Sequence, residues 1–242
     1  MTGSNIKPQD SFAKLLKENI LFEDNHIIIV NKLPSQIVQG DKTGDITLAD
    51  LVKEYIKINY NKSGEVFLGV VHRLDRPVSG AVIFARTSKS LTRLNALIKN
   101  REVKKTYWAV VKNKPPHETD TLVNYLRRDE AKNKSFVTSE SNKNAQKAIL
   151  TYTLLAGSDS YYLLEIDLET GRHHQIRTQL AEIGCPIKGD LKYGFPRSNA
   201  GGSIHLHARK LNFIHPVTLH PVSIIADTPD DPVWNYFNRN FR

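Results

Sequence analysis

The chain has 242 residues, 40% of them hydrophobic, and its 34 Lys and Arg against 25 Asp and Glu give a formal charge of +9. This composition supports a sizeable core in one large domain or two small ones and excludes wholesale disorder, and no apolar run reaches the ~18 residues that span a bilayer. Met1–Lys7 lacks the apolar core of a signal peptide. Cys185 is the single cysteine, which excludes an intrachain disulfide and fits a reducing cytoplasm; beside Pro186 it reads as a packed thiol. The positive surplus points to a polyanionic partner, either nucleic acid or an anionic membrane surface.

Residues 1–18 are polar and read as a loosely attached arm ahead of a domain over 19–242. Thr47 with Asp50 has the capping-box pattern, and Leu48, Leu51, Val52, Tyr55 and Ile56 follow at helical spacing. The apolar run Val66–Val71 reads as a buried strand, and Ala81–Ala85 as a second. Ser88 is placed to cap a helix carrying Leu91, Leu94 and Ile98 on one face. Lys105–Lys112 has strand composition. Asp129–Asn144 is polar and reads as a mobile insertion between strands, a basic flap with Arg127 and Arg128 at its base. Thr151–Leu155 and Tyr161–Leu168 read as strands joined by the turn Gly157-Ser158-Asp159. A helix is expected from His173 to Ile183, with Ile176, Leu180 and Ile183 inward and Gly184 closing it. Ser198–Gly202 reads as a flexible loop, and Asp231-Pro232 as the start of a last helix carrying Trp234 and Phe237. Strands outnumber helices and several follow one another directly, which predicts an α+β fold with a mostly antiparallel sheet.

The segment Val70-Val71-His72-Arg73-Leu74-Asp75-Arg76-Pro77-Val78-Ser79-Gly80 puts a carboxylate in a turn at the rim of that sheet, between two cations that favour its ionised form. Taken alone, Asp75 could equally serve its own turn by accepting backbone N–H groups. The rest of the chain shifts that balance. His72-Arg73-Leu74-Asp75-Arg76 with Ser79-Gly80 resembles the catalytic loop of the RluA-type pseudouridine synthases. Further segments resemble the same family in the same order: Lys105-Thr106-Tyr107-Trp108-Ala109-Val110, then Leu168 to Arg177 with Pro186-Ile187-Lys188-Gly189-Asp190 and Tyr193-Gly194, then Leu206-His207-Ala208 with Leu211, Phe213 and His215-Pro216. Asn25 to Lys32 is similar to the family's opening strand. Pro77-Val78 stands where the family commonly has Asp-Thr, and His173 where it often has Thr.

The resemblance implies one long mixed sheet with flanking helices and an active-site cleft across its middle, in the short form without an S4-type domain. It implies an isomerase that detaches uracil from its ribose, turns it and rejoins it through C5, in ribosomal or transfer RNA. That reaction has no redox step and calls for no cofactor and no metal; a cytoplasmic monomer away from membranes is expected. Asp75 is the implied catalytic carboxylate, Arg177 its charge partner in fork geometry, and Tyr107 the ring that stacks on uracil and assists at the C5 proton. Leu206 is the implied apolar wall beneath the base. His72 and His174 join the substrate-binding set. Arg73 is a candidate to fill the gap left by an extruded base, and Arg76, Arg172, Lys188, Arg127 and Arg128 are candidates for phosphate contact.

Two other readings compete. His173-His174 and His205 with His207 suggest zinc ligands and a hydrolase, although no HExxH or CxxC spacing is present, and adjacent histidines on a helix point apart. A non-catalytic RNA-binding module would explain the charge but gives no reason for a carboxylate facing phosphates.

Overall fold

The computed structural model describes residues 16–40 and 44–240. Among them, eleven strands form one sheet. In chain order these are β1 (Ile20–Glu23), β2 (Ile27–Lys32), β3 (Gly69–Val70), β4 (Ser79–Ala85), β5 (Lys104–Val111), β6 (Thr119–Asp129), β7 (Lys134–Thr138), β8 (Gln146–Gly157), β9 (Tyr162–Leu168), β10 (Leu206–Ile214) and β11 (Pro221–Ile225). The helices are α1 (Leu48–Asn59), α2 (Ser88–Lys99), α3 (Gln175–Glu182) and α4 (Pro232–Asn240). The strands run β1-β2-β4-β10-β5-β9-β8-β6-β7, with β3 on β4 and β11 on β10. Every described pairing is antiparallel except β4 with β10, which meet through His207 opposite Ser79 and Ala208 opposite Gly80.

Strand alternation sorts side chains onto two faces. Ile28, Val30, Val82, Phe84, Tyr107 and Ala109 face the core that α1 and α3 cover. Ile27, Ile29, Ala81 and Ile83 face α2, and Trp108 and Val110 face α4 through Trp234 and Phe237. Tyr107 and Trp108 thus take opposite faces, as neighbours on a strand must. The middle of the sheet is tight. Gly80 has φ +117°, and a Cβ there would lie 2.7 Å from the Ala208 Cα, so only glycine lets β10 join β4 at this point.

The helix boundaries follow local chemistry. The Thr47–Asp50 capping box forms as the pattern predicts. The second helix is capped by Thr87 with Ser90, one residue earlier than Ser88, because Thr87 holds the extended backbone a cap needs. The third helix begins at Gln175, two residues later than expected, because His174 is left-handed at φ 53°. Asp231 caps α4 by accepting from the Val233 and Trp234 N–H groups.

Three expectations need correction. The run Val66–Val71 pairs only at Gly69 and Val70; Phe67 is 48% exposed, and Leu91 fills the space above Gly69 that strand neighbours would need. The polar stretch 129–144 contains strand β7, paired with β6 as a hairpin and anchored by buried Ser135, whose N–H donates to the Tyr193 hydroxyl at 2.8 Å. Ser198–Gly202 is tied down by Asn199, whose side chain reaches the Ser203 carbonyl, His205 Nδ1 and Lys188 Nζ. Residues 1–15 of the expected arm lie outside the described residues, while Leu16 is buried in the main core.

Candidate active site

A cleft of about 580 Å³ opens where β4, β5 and β10 meet. Asp75 projects into it from the β3–β4 loop. That loop is fixed at four successive carbonyls. Asp75 C=O accepts from the Val78 N–H, Arg76 C=O from the Ser35 N–H, and Pro77 C=O from the Ile204 N–H. Lys32 Nζ donates to the carbonyls of Val78, Arg76 and Leu33. Lys32 is fully buried, and burial pulls its ammonium down to about 7, against the opposing pull of Asp75. The sequence reading gave Lys32 no role; its signal was a lysine closing the apolar strand Ile27–Val30.

The Asp75 carboxylate is 31% exposed and accepts from Arg177 Nη1 at 2.9 Å. The expected fork does not form there. Arg177 gives its fork to Asp190 instead, Nε to Oδ2 at 2.7 Å and Nη2 to Oδ1 at 2.9 Å. Arg177 and Asp190 are 5% and 1% exposed. The reason is geometric: α3 runs beside the loop carrying Asp190, so the Nε–Nη2 edge of the guanidinium docks onto that carboxylate and Nη1 reaches Asp75. The Tyr193 ring lies 5.1 Å from the guanidinium carbon. Burial works against the Arg177 charge, but the Asp190 and Asp75 carboxylates more than restore it, and its pKa ends above the ordinary value.

Burial also works against the Asp75 charge, and His174, Arg177 and His173 together outweigh it, leaving the carboxyl below its ordinary range. His174 Nε2 stands 3.4 Å from Asp75 Oδ2, yet burial drives that imidazole down to about 3. At neutral pH His174 is therefore uncharged, and Arg177 carries the stabilisation of the Asp75 anion. His174 Nδ1 is 2.9 Å from the Tyr193 hydroxyl. That hydroxyl already accepts from Ser135 N–H. Donating its own hydrogen to Nδ1 leaves the imidazole proton on Nε2, pointed at Asp75.

Tyr107 and Leu206 line the same cleft and are both buried. Burial and the nearby Asp75 charge raise the Tyr107 phenol above its ordinary pKa, so it is protonated at neutral pH. His72 also lines the cleft, but its Nε2 accepts from the Ile83 N–H at 3.1 Å, and burial lowers it to about 3. Arg73, Arg128 and Arg172 complete the candidates that reach the lining. Three candidates lie elsewhere. Arg76 pairs with Asp45 at 2.6 Å. Lys188 bonds to Asn199 on the far side of β5 and lies 5.8 Å from the Tyr161 ring. Arg127 is the strand neighbour of Arg128 and is absent from the lining. Asp190 and Tyr193 are the partners the sequence reading left without a role, although both stood in matching motifs.

The histidines do not assemble. Among the described residues no three His, Cys, Asp or Glu side chains converge to hold a metal ion. His205 is occupied by Asn199 and Asp231, and His207 by Ser79 and the Ala226 carbonyl. His173 and His174 stack at 3.8 Å between ring centroids, contrary to the expectation that they point apart, because the left-handed backbone at His174 keeps it out of the helix.

The fold is shared with solved pseudouridine synthase domains. A solved structure of the human RNA pseudouridylate synthase domain containing 4 superposes with a TM-score of 0.79 at 24% identity, covering 97% of both chains. Residues 26–182 match the RNA pseudouridylate synthase family, and the chain belongs to it. It is 34% identical over 221 residues to the RNA pseudouridine synthase YhcT of Bacillus subtilis, across 87% of this chain and 68% of that one. It is 31% identical over 240 residues to ribosomal large subunit pseudouridine synthase D of Xylella fastidiosa, across 92% and 69%. Against tRNA pseudouridine synthase C of Vibrio cholerae it is 29% identical over 233 residues, across 89% and 92%. Among the described residues no helix is long and apolar enough to cross a membrane.

Proposed function

We propose that this protein isomerises specific uridines to pseudouridine in ribosomal or transfer RNA, with Asp75 as the catalytic carboxylate. The observation that carries the reading is the buried array Asp190–Arg177–Asp75, opening on a cleft walled by Tyr107 and Leu206. The reaction breaks the bond from ribose C1′ to N1 and forms one from C1′ to C5; the C5 hydrogen leaves and N1 gains a proton. It needs an ionised carboxylate at the nucleotide, and an Asp75 whose pKa is depressed supplies one throughout the neutral range. Arg177 holds that carboxylate in place while Asp190 holds Arg177. Leu206 and the Tyr107 ring form the apolar and stacking walls for the extruded base. With its phenol protonated, Tyr107 enters the cycle as a hydrogen-bond donor and takes up a proton only after giving its own away. His72 fixes the catalytic loop beside the base, His174 orients Asp75, and Arg73, Arg128 and Arg172 meet the RNA. The reaction neither gains nor loses electrons, so no redox cofactor enters. We further propose that residues 19–242 act as one catalytic domain and that the protein works as a monomer in the cytoplasm; its single cysteine, buried and unpaired, suits a reducing compartment.

The test is incubation of the purified protein with unmodified ribosomal and transfer RNA transcripts in EDTA, followed by site-resolved pseudouridine mapping. Conversion of one or a few uridines by the parent, and of none by Asp75→Asn, is expected. No pseudouridine in any transcript overturns the reading, and activity lost in EDTA but restored by zinc overturns its metal-free chemistry.

A further inference from the structure

We infer that Lys105 is a phosphate-binding residue, taking a phosphodiester that flanks the nucleotide held at Asp75. The inference rests on the function proposed above and adds a contact to it. Lys105 lies two residues before Tyr107 on β5, so alternation puts both side chains on the cleft face. Thr106 between them turns away to Asp167 at 3.0 Å. The ammonium reaches across to the β9–α3 connection, where Gly171 leaves it room; a Cβ at 171 would be 3.6 Å from Nζ.

What distinguishes Lys105 is its lack of a partner. Arg177 is bonded to two carboxylates, Arg101 pairs with Glu169 at 2.6 Å, and Arg172 donates to the Lys147 carbonyl. Arg73, Lys99 and Arg128, also at the cleft, are exposed. Lys105 is half-buried, and among the described residues it makes no hydrogen bond and no ion pair. Its ammonium has lost water and gained nothing in return, which is why burial alone lowers its pKa. An anion entering the cleft restores that loss. The ammonium lies near Gly171 and close enough to His72 to weigh against that ring's protonation, along the strand from the base wall. A nucleotide placed with its base on Tyr107 and its ribose at Asp75 must continue as charged backbone, and a compact ammonium suits a single phosphate oxygen.

The experiment compares the parent, Lys105→Met and Lys105→Arg on the transcript that the parent modifies. RNA affinity is measured between about 50 and 200 mM salt, together with single-turnover conversion. One lost phosphate contact should flatten the log–log salt slope of Lys105→Met by about 0.7–0.9 and weaken affinity about fivefold near physiological salt. The half-saturating RNA concentration should carry most of the loss, and Lys105→Arg should recover the slope. An unchanged slope in Lys105→Met overturns the inference. So does a fall in the saturating rate with affinity intact, which would move Lys105 to the reacting base. If the parent modifies no transcript, the proposed function fails, while the salt slopes on the same transcripts still decide whether Lys105 meets a phosphate.

Discussion

Two pairs of histidines flank the middle of the sheet, and they do different work. On the cleft side, His173 and His174 stack beside Asp75, with the His174 ring linking Tyr193 to the carboxylate. On the α4 side, His205 and His207 pack against Trp234 and spend their nitrogens on neighbours that never meet the cleft. The residue type is the same; His174, His205 and His207 are buried and His173 is half-buried. The difference is what the ring nitrogens face: His174 meets a carboxylate that opens on the cleft, while His205 and His207 meet groups that hold the fold. A histidine cluster is therefore assigned by its partners, not by its spacing.

The comparison predicts that changes on the cleft side reach turnover, while changes on the α4 side act on stability alone. The largest effect belongs to Asp75→Asn. It keeps the shape and removes the charge, and single-turnover conversion should fall at least about a thousandfold, or about 4 kcal/mol of barrier. Melting temperature and RNA affinity should stay near the parent's. Residual conversion within tenfold of the parent would remove Asp75 from the chemistry.

Next comes Arg177→Met, which strips the cation from two carboxylates. Losing one partner of a buried ion pair costs about 3–5 kcal/mol, read from chemical unfolding. Without Arg177 the Asp75 carboxyl is left with burial, which raises its pKa. The folded protein then loses the ionised form at a higher pH, so the acid limb of the pH–rate profile should move upward. Arg177→Lys keeps a charge but not the fork and should shift the limb less. An unmoved acid limb in Arg177→Met would break the link between the two residues.

On the other side, His207→Ala leaves Ser79 Oγ and the Ala226 carbonyl without their buried partner. A loss of about 2–4 kcal/mol of stability is expected, with turnover of the folded fraction retained. Burial holds His207 down to about 4. The unfolded chain binds that proton near 6.5 and the folded chain does not, so stability falls as the pH drops from about 6.5 to 4. His207→Ala should flatten that slope; an unaltered slope would mean that another group drives acid unfolding.

The smallest effect is Arg76→Ala. Its ion pair with Asp45 is exposed at 43% and 51%, where such pairs contribute about 0–1 kcal/mol. Arg76 flanks Asp75 in sequence but stands outside the cleft lining, so a large fall in conversion would show that it reaches the RNA after all.

The sequence made the sheet legible because alternation and turn residues are local signals; they placed Asp75 in a loop at the sheet rim, while its role came from the family resemblance. The capping box at Thr47 and the Asp231-Pro232 helix start were likewise readable as local signals. Asp190 as the holder of Arg177 was not readable, since the two meet through the packing of α3 against a loop thirteen residues away. Nor was the β6–β7 hairpin. Its polar sequence resembles a solvated loop, yet Ser135 is buried because Tyr193 and His173 supply its partners. The cap of α2 and the start of α3 moved by one and two residues, where a single backbone angle decides the boundary and composition does not.

The loop carrying Asp75 has a consequence for the RNA. Its four successive carbonyls are all engaged, three through backbone N–H groups of the chain and two through a buried lysine, with Arg76 served by both. Moving the loop toward a substrate would forfeit those bonds together. Under the proposed function the Asp75 carboxylate is consequently a fixed post, and the distortion that brings a uridine to it would be borne by the nucleic acid. On that proposal, uridines already unstacked in bulges and hairpin loops need least of that deformation, and local RNA strain, more than protein closure, is expected to set which positions come within range.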